Sequence, residues 1–348
     1  MAGKREEQSK REHSPVEILP GVVHRNQGGV PENRGGEGMI TIYKSGTDGL
    51  QRINTYESGA WINVINPTQH EIEQLVSWFN IPPDFLTDPL DIDERARIER
   101  EEGSMLILLR TARREIPDAD IPFITLPVGI ILTQNIIITV SLTDVDVISE
   151  FLTGKVKNFS TENRTGFVLL LFLRTALMFL RYLKDINRMS SNVQKDLHKA
   201  LKNEQLIKLL NLEKSLVFFI TSLRSNALMM EKFNTTECMK MSEDDRDIFE
   251  EVVIENKQAI EMANIYSSIL SGMMDAFASV ISNNLNVVMK LLTTVTIILM
   301  IPTLVASIYG MNVELPYQHS IFAFPITMAI SLSLSAVGIA IFWRKEFF

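Results

Sequence analysis

Between Lys290 and Glu314 the chain carries no charged side chain, reading LLTTVTIILMIPTLVASIYGMNV. A second uncharged run, SIFAFPITMAISLSLSAVGIAIFW, extends from Ser320 to Trp343. A helix needs ~20 apolar residues to cross ~30 Å of hydrocarbon, and both runs are long enough. Lipid offers no partner to unpaired backbone N–H and C=O groups, so both are predicted as membrane helices, over about 289–309 and 321–343. Upstream, Gly166–Lys199 carries an apolar stripe at helical spacing: Val168, Leu171, Phe172, Thr175, Phe179, Leu183 and Ile186. After a turn at Asn203-Glu204 a second helix is predicted to about Phe233, and Asn234-Thr235-Thr236 breaks the pattern. Ser242 caps a third, with Asp244 and Asp245 in its first turn, where carboxylates suit the macrodipole. That helix meets no proline before Pro302 and is predicted to pass unbroken into the membrane, over roughly 65 residues or about 100 Å. So long a rod is hard to stabilise alone and reads as a stalk packed in an oligomer.

The first half of the chain has a different texture. Strands are predicted at MITIYK from Met39, at Trp61–Ile65, at Ser104–Ala112, at Phe123–Thr133 and at Ile136–Val140, with a tight hairpin at Thr133-Gln134-Asn135. Thr68 and Glu71 form a capping box that starts a helix running to about Phe79, and Pro82-Pro83 opens a short helix toward Asp88. The expected fold is therefore an α/β cytosolic domain followed by long stalk helices and two C-terminal transmembrane helices. The expected segments are a disordered tail (1–38), the α/β domain (39–160), the helical stalk (161–285) and the transmembrane domain (286–348).

Composition narrows the function. A net charge of −8, with no basic cluster carrying interleaved aromatics, argues against nucleic acid as a partner. Cys238 is the single cysteine, which excludes a disulfide framework and any multi-cysteine zinc site. No signal peptide, glycine-rich phosphate loop, ATPase motif or nucleophile with an adjacent base is present, so the chain does not read as an enzyme. Lys290, Arg344 and Lys345 flank the spans on one side, whereas the Val313–His319 loop has no Lys or Arg. By the positive-inside rule both termini are cytoplasmic, in a cell (inner) membrane protein whose lipid partner is the bilayer.

On a helical wheel of the first span, Asn286, Met289, Thr293, Thr296, Met300, Thr303, Ser307 and Gly310 recur at intervals of 3 and 4. This seam collects most of the span's polar groups. Two readings are open: hydroxyls that only back-bond their own helix, or the lining of a passage for an ion that keeps its water, as Mg²⁺ does. Below the span, Asp247, Glu251, Glu255 and their acidic neighbours far outnumber Arg246 and Lys257. Such a run is either a solvated face or, in a parallel bundle, a set of charges that repel unless a cation lies between them.

Asn286-Val287-Val288-Met289-Lys290, the long uncharged helix, Tyr309-Gly310-Met311-Asn312, a short acidic loop, a second span and a basic C-terminus together resemble the CorA magnesium-transport family. Trp61-Ile62-Asn63 and Leu86-Thr87-Asp88 are similar to that family's cytosolic domain, with Pro89 as a departure. The resemblance implies a funnel-shaped homopentamer with Gly310, Met311 and Asn312 as the selectivity motif. It also implies Leu292 as an alternative to Thr293 at the constriction, although Ile301 before Pro302 and Ser307 depart from the family pattern. By the same resemblance Asp88 and Glu251 form a regulatory Mg²⁺ site between subunits, and Asp275 is an acid at the passage entrance. Glu314 is the only acid of the loop. The expected function is a divalent-cation channel for Mg²⁺, with Co²⁺ and Ni²⁺ as minor substrates. The alternatives are a Zn²⁺ transporter of the same superfamily and a non-conducting, membrane-anchored metal sensor.

Overall fold

The computed structural model describes residues 39–46, 49–116, 119–157, 159–199, 203–236, 238–312 and 320–344. The tail 1–38 and the loop 313–319, with Glu314, lie outside the described residues. The chain divides into two compact units at Ser271 and Gly272.

The first unit is built on one seven-stranded sheet. Its strands are β1 (Met39–Gly46), β2 (Gly49–Ile53), β3 (Trp61–Ile65), β4 (Arg97–Glu101), β5 (Ser104–Arg114), β6 (Phe123–Leu132) and β7 (Ile137–Ser141), in the order β2-β1-β3-β7-β6-β5-β4. Among the described residues, only β3 and β7 pair in parallel. Side chains alternate across a strand, so neighbouring residues serve opposite layers. Ile62, Val64, Leu106, Leu108, Ile138 and Val140 join Leu75 of α1 (Gln69–Phe79) and Phe85 of α2 (Pro83–Thr87) in one core. On the other face Trp61 meets Phe151 of α3 (Asp146–Leu152) and Phe167 of α4 (Arg164–Lys199), at ring separations of 6.3 and 5.1 Å. The Trp61 indole donates to the Thr139 hydroxyl (2.8 Å), which donates to the Asn63 side-chain oxygen (2.9 Å). The Trp61-Ile62-Asn63 segment is thus core architecture, with its polar groups paired as burial requires.

Several predicted elements are present and others are new. The capping box of Thr68 and Glu71 starts α1 as expected, and every residue of the predicted α4 stripe is buried. Asn203-Glu204, expected as a turn, instead forms the first turn of α5 (Asn203–Thr235). Asn can start a helix as well as break one, and an apolar pattern cannot separate the two. β2, β4 and α3 were not predicted. α6 runs from Glu243 to Tyr309 as one helix through Pro302, and Ser242 and Asp245 cap it reciprocally. It lies antiparallel to α5, with the Asn256 amide donating to the Leu223 carbonyl (3.2 Å) and the Ser271 hydroxyl to Glu213 (2.9 Å).

The second unit holds the rest of α6 and α7 (Ala323–Arg344). Thr294 and Val305 on α6 and Ser331 and Ser335 on α7 are buried, and a Cβ on Gly338 would touch Ile301 at 3.3 Å. Small residues let membrane helices approach closely, where packing replaces the missing hydrophobic drive. Among the described residues, three helices are long and apolar enough to cross a membrane: α4, α6 and α7. In α4 the apolar stretch is 78% buried inside the protein, against 11% in each of the others. Its apolar surface is therefore already covered, which leaves α6 and α7 as the helices suited to span a membrane.

One contact fixes the turn that carries Asp88. This 3₁₀ turn, Asp88–Leu90, lays the Pro89 ring directly over Gly129 of β6, where a Cβ would overlap the ring. Pro89, a departure from the family pattern, is matched here by a bare backbone opposite it. Gly129→Ala is expected to cost roughly 1–3 kcal/mol by overpacking and to lower the melting temperature of the full-length protein by several degrees. An unchanged melting curve would show that the turn is not wedged as described.

Candidate functional site

Asn286, Met289, Thr293, Thr296, Met300, Thr303, Ser307 and Gly310 are all exposed along α6, as is Leu292 beside them. At 3.6 residues per turn, this seam centres about 140° round the helix from the Thr294–Ile301–Val305 stripe that meets α7. One face of α6 is occupied by α7, and the face carrying the hydroxyls is open. Thr293 donates its proton to the Met289 carbonyl (2.8 Å), Thr296 to Leu292 (2.8 Å) and Thr303 to Leu299 (3.0 Å). The two readings of these residues are therefore compatible. A hydroxyl whose proton is committed to its own helix turns only lone pairs outward. Lone pairs without protons suit the hydrogens of water bound to a cation.

The seam ends where the helix ends. The Gly310 N–H donates to the Ala306 carbonyl (2.9 Å) and the Met311 N–H to Ile308 (3.3 Å). Gly310 does this without a positive φ. A Cβ there would stand 3.3 Å from the Ala306 carbonyl oxygen, so it is close approach that favours glycine at this position. Met311 and Asn312 follow, both exposed. Asp275 is exposed on α6.

The stalk acids separate into distinct environments. Asp245 is buried in the Ser242 cap. Asp247 and Glu251 are exposed and Glu255 half-exposed. Among the described residues no three His, Cys, Asp or Glu side chains come together as a metal site, and Asp88 and Glu251 share neither an ion pair nor a hydrogen bond. Asp88 instead pairs with Arg97, the first residue of β4, at 2.6 Å. Arg97 also binds Glu99 (2.6 Å) and, closely, Glu94. Burial holds the Asp88 carboxyl above its usual range; the Arg97 charge opposes this, and Glu94, Asp84 and Glu99 add to it. Arg97 rises above its own usual value, since its bonds to Glu99 and Glu94 outweigh desolvation. Hard, partly exposed carboxylate oxygens are the right donors for Mg²⁺, so the residues fit the ion in type. One copy of the chain supplies too few of them.

Arg97 and its ring of acids were not anticipated, because β4 was not. The usable signal was the charge alternation of Arg97-Ile98-Glu99-Arg100-Glu101 ahead of Glu102-Gly103. Both turn residues adopt positive φ, as a two-residue hairpin requires. The half-buried Arg110 was missed as well. Its guanidinium grips the carbonyls of Ile92 (2.7 Å) and Glu94 (2.6 Å) in the loop after Asp88, together with Thr125 and Ser222. Burial pulls its pKa down, against Asp93 and Asp91.

Comparison with known proteins bears on the fold and the family. The "Cobalt/magnesium transport protein CorA" of Methanocaldococcus jannaschii is 27% identical over 290 residues, covering 82% of this chain and 90% of that protein. The protein of the same name from Thermotoga maritima is 24% identical over 295 residues, covering 82% of each. The solved structure of the CorA magnesium transporter from M. jannaschii superposes with a TM-score of 0.74 at 24% identity, over 89% of this chain and 98% of that one, which establishes the shared fold. The sequence model of the CorA-like Mg²⁺ transporter proteins matches residues 56–345, taking in β3 to β7 of the sheet, the long helices and both apolar C-terminal runs. The chain belongs to the CorA-like Mg²⁺ transporter family.

Proposed function

We propose that this protein is a homopentameric channel passing divalent cations, Mg²⁺ foremost, across the cell membrane down their electrochemical gradient. The observation that carries this reading is the open seam of α6, lined with lone pairs and opposite the face taken by α7. Copies arranged round an axis would turn these seams toward one another. Mg²⁺ gives up its water reluctantly. Hydroxyl lone pairs and the Asn312 amide hold the hydration shell by hydrogen bonds and leave the metal coated. No charge lies in the span to trap the ion, and the membrane potential supplies ~2.3 kcal/mol per charge per 100 mV. The relatives named for cobalt as well as magnesium make Co²⁺ the expected second substrate; Ni²⁺ follows from ligand type alone.

Regulation belongs to the acids. Mg²⁺ held with its water between Asp88 of one subunit and Glu251 of the next would cancel their repulsion and favour a closed arrangement. It can do so only by binding that arrangement more tightly than the open one. Asp247 and Glu255 extend this acidic surface, and Asp275 and Glu314 draw cations toward the two ends of the passage.

Asn312→Ala is expected to reduce Mg²⁺ flux roughly tenfold or more, the equivalent of ~1.4 kcal/mol lost where ions are selected, while the oligomer elutes unchanged. Near-normal flux in a correctly assembled variant would remove Asn312 from the role. The topology carries its own check. A reporter fused to the C-terminus is expected to be reached only from the cytoplasmic side, and labelling from outside intact cells would invert the assignment.

A further inference from the structure

The Arg97–Asp88 pair has a use beyond holding a turn in place. Asp88 sits in a frame that cannot easily move. Pro89 is wedged over Gly129 on one side, and Arg110 clamps the carbonyls of the following loop on the other. Arg97 is the movable partner, a long side chain on the edge strand β4 and about one-quarter exposed. Its three nitrogens are each committed to a different carboxylate: Nη2 to Asp88, Nη1 to Glu94 and Nε to Glu99. If Asp88 is taken from it, Arg97 still keeps two acidic partners. Three carboxylates bond this one guanidinium, and Asp84 adds to the negative field at Asp88, so a second cation is welcome there on charge grounds.

We infer that Arg97 is a tethered counter-cation competing with Mg²⁺ for Asp88: it pairs with the carboxylate when the ion is absent, yields it when the ion binds, and so sets the Mg²⁺ concentration at which the site fills. This rests on the reading of Asp88 as a regulatory ligand. An emptied site would otherwise leave several carboxylates facing one another. Arg97 lets the turn keep its shape through the empty state, and in doing so raises the concentration of Mg²⁺ needed.

The test is thermal unfolding of the purified full-length protein, titrated with Mg²⁺ and read independently of transport. In Arg97→Met the metal-free protein is expected to melt lower, while the half-saturating Mg²⁺ concentration falls roughly two- to fivefold, the range for losing one part-exposed ion pair. Arg97→Lys, which keeps the charge, is expected to lie close to wild type. Glu99→Gln, an exposed change that folds even if Arg97→Met does not, removes an alternative partner and is expected to move half-saturation upward. Asp88→Asn separates the two layers of the argument. If it leaves the Mg²⁺ titration unchanged, the regulatory reading of Asp88 fails. If it abolishes the response while Arg97→Met and Glu99→Gln leave half-saturation where it was, or move it the other way, the competition is wrong and the Asp88 site stands.

Discussion

A backbone in hydrocarbon must pair every N–H and C=O within itself, and this constraint organises the membrane part of the chain. It makes α6 a helix from end to end, and a helix sorts its residues onto faces. With Thr294, Ile301 and Val305 set against the small residues of α7, the side that carries Thr293, Thr296, Thr303 and Ser307 is left open. The same constraint explains the threonine rotamers. Each hydroxyl returns its proton to the helix, and an acceptor-rich surface results. Helix packing and an acceptor-rich surface are thus two sides of one helix.

Much of this was legible from the residues. The uncharged runs, the 3-4 spacing of the seam and the Tyr309-Gly310-Met311-Asn312 terminus declare themselves because a membrane span tolerates so few alternatives. The α4 stripe and the Thr68–Glu71 box were equally plain, since both are local patterns with one geometric reading. β4 was not legible. Its buried side is a single isoleucine, Ile98, and an edge strand covered in charge shows no hydrophobic period for a sequence reading to catch. Arg97 was hidden with it. Its importance comes from three carboxylates that reach it from two separate segments, a 3₁₀ turn and the loop and strand that follow. α3 was missed for a related reason: seven residues are too few to display a helical repeat.

The acids of the first unit occupy unlike environments, so a count of charges says little about any one of them. The run from Glu243 to Glu261 is the most acidic stretch in the sequence, yet its members are variously capped, half-buried or solvated. Asp88 stands among residues 84–102, which are as rich in acids but interleaved with Arg95, Arg97 and Arg100, and it is placed rigidly, partly shielded from water and paired with Arg97. If Asp88 is the regulatory ligand proposed above, rigidity and balanced charge, more than charge density, let it respond to a modest change in Mg²⁺. Affinity there depends on what must be displaced as well as on what is gained.

The most direct test of the account is Mg²⁺ entry into liposomes carrying the purified protein, with a membrane potential imposed and no nucleotide present. Entry that rises as the interior is made more negative, and that persists without any energy source beyond the gradient, is the predicted result. Absence of protein-dependent Mg²⁺ entry at any potential, or entry that requires ATP, would contradict it.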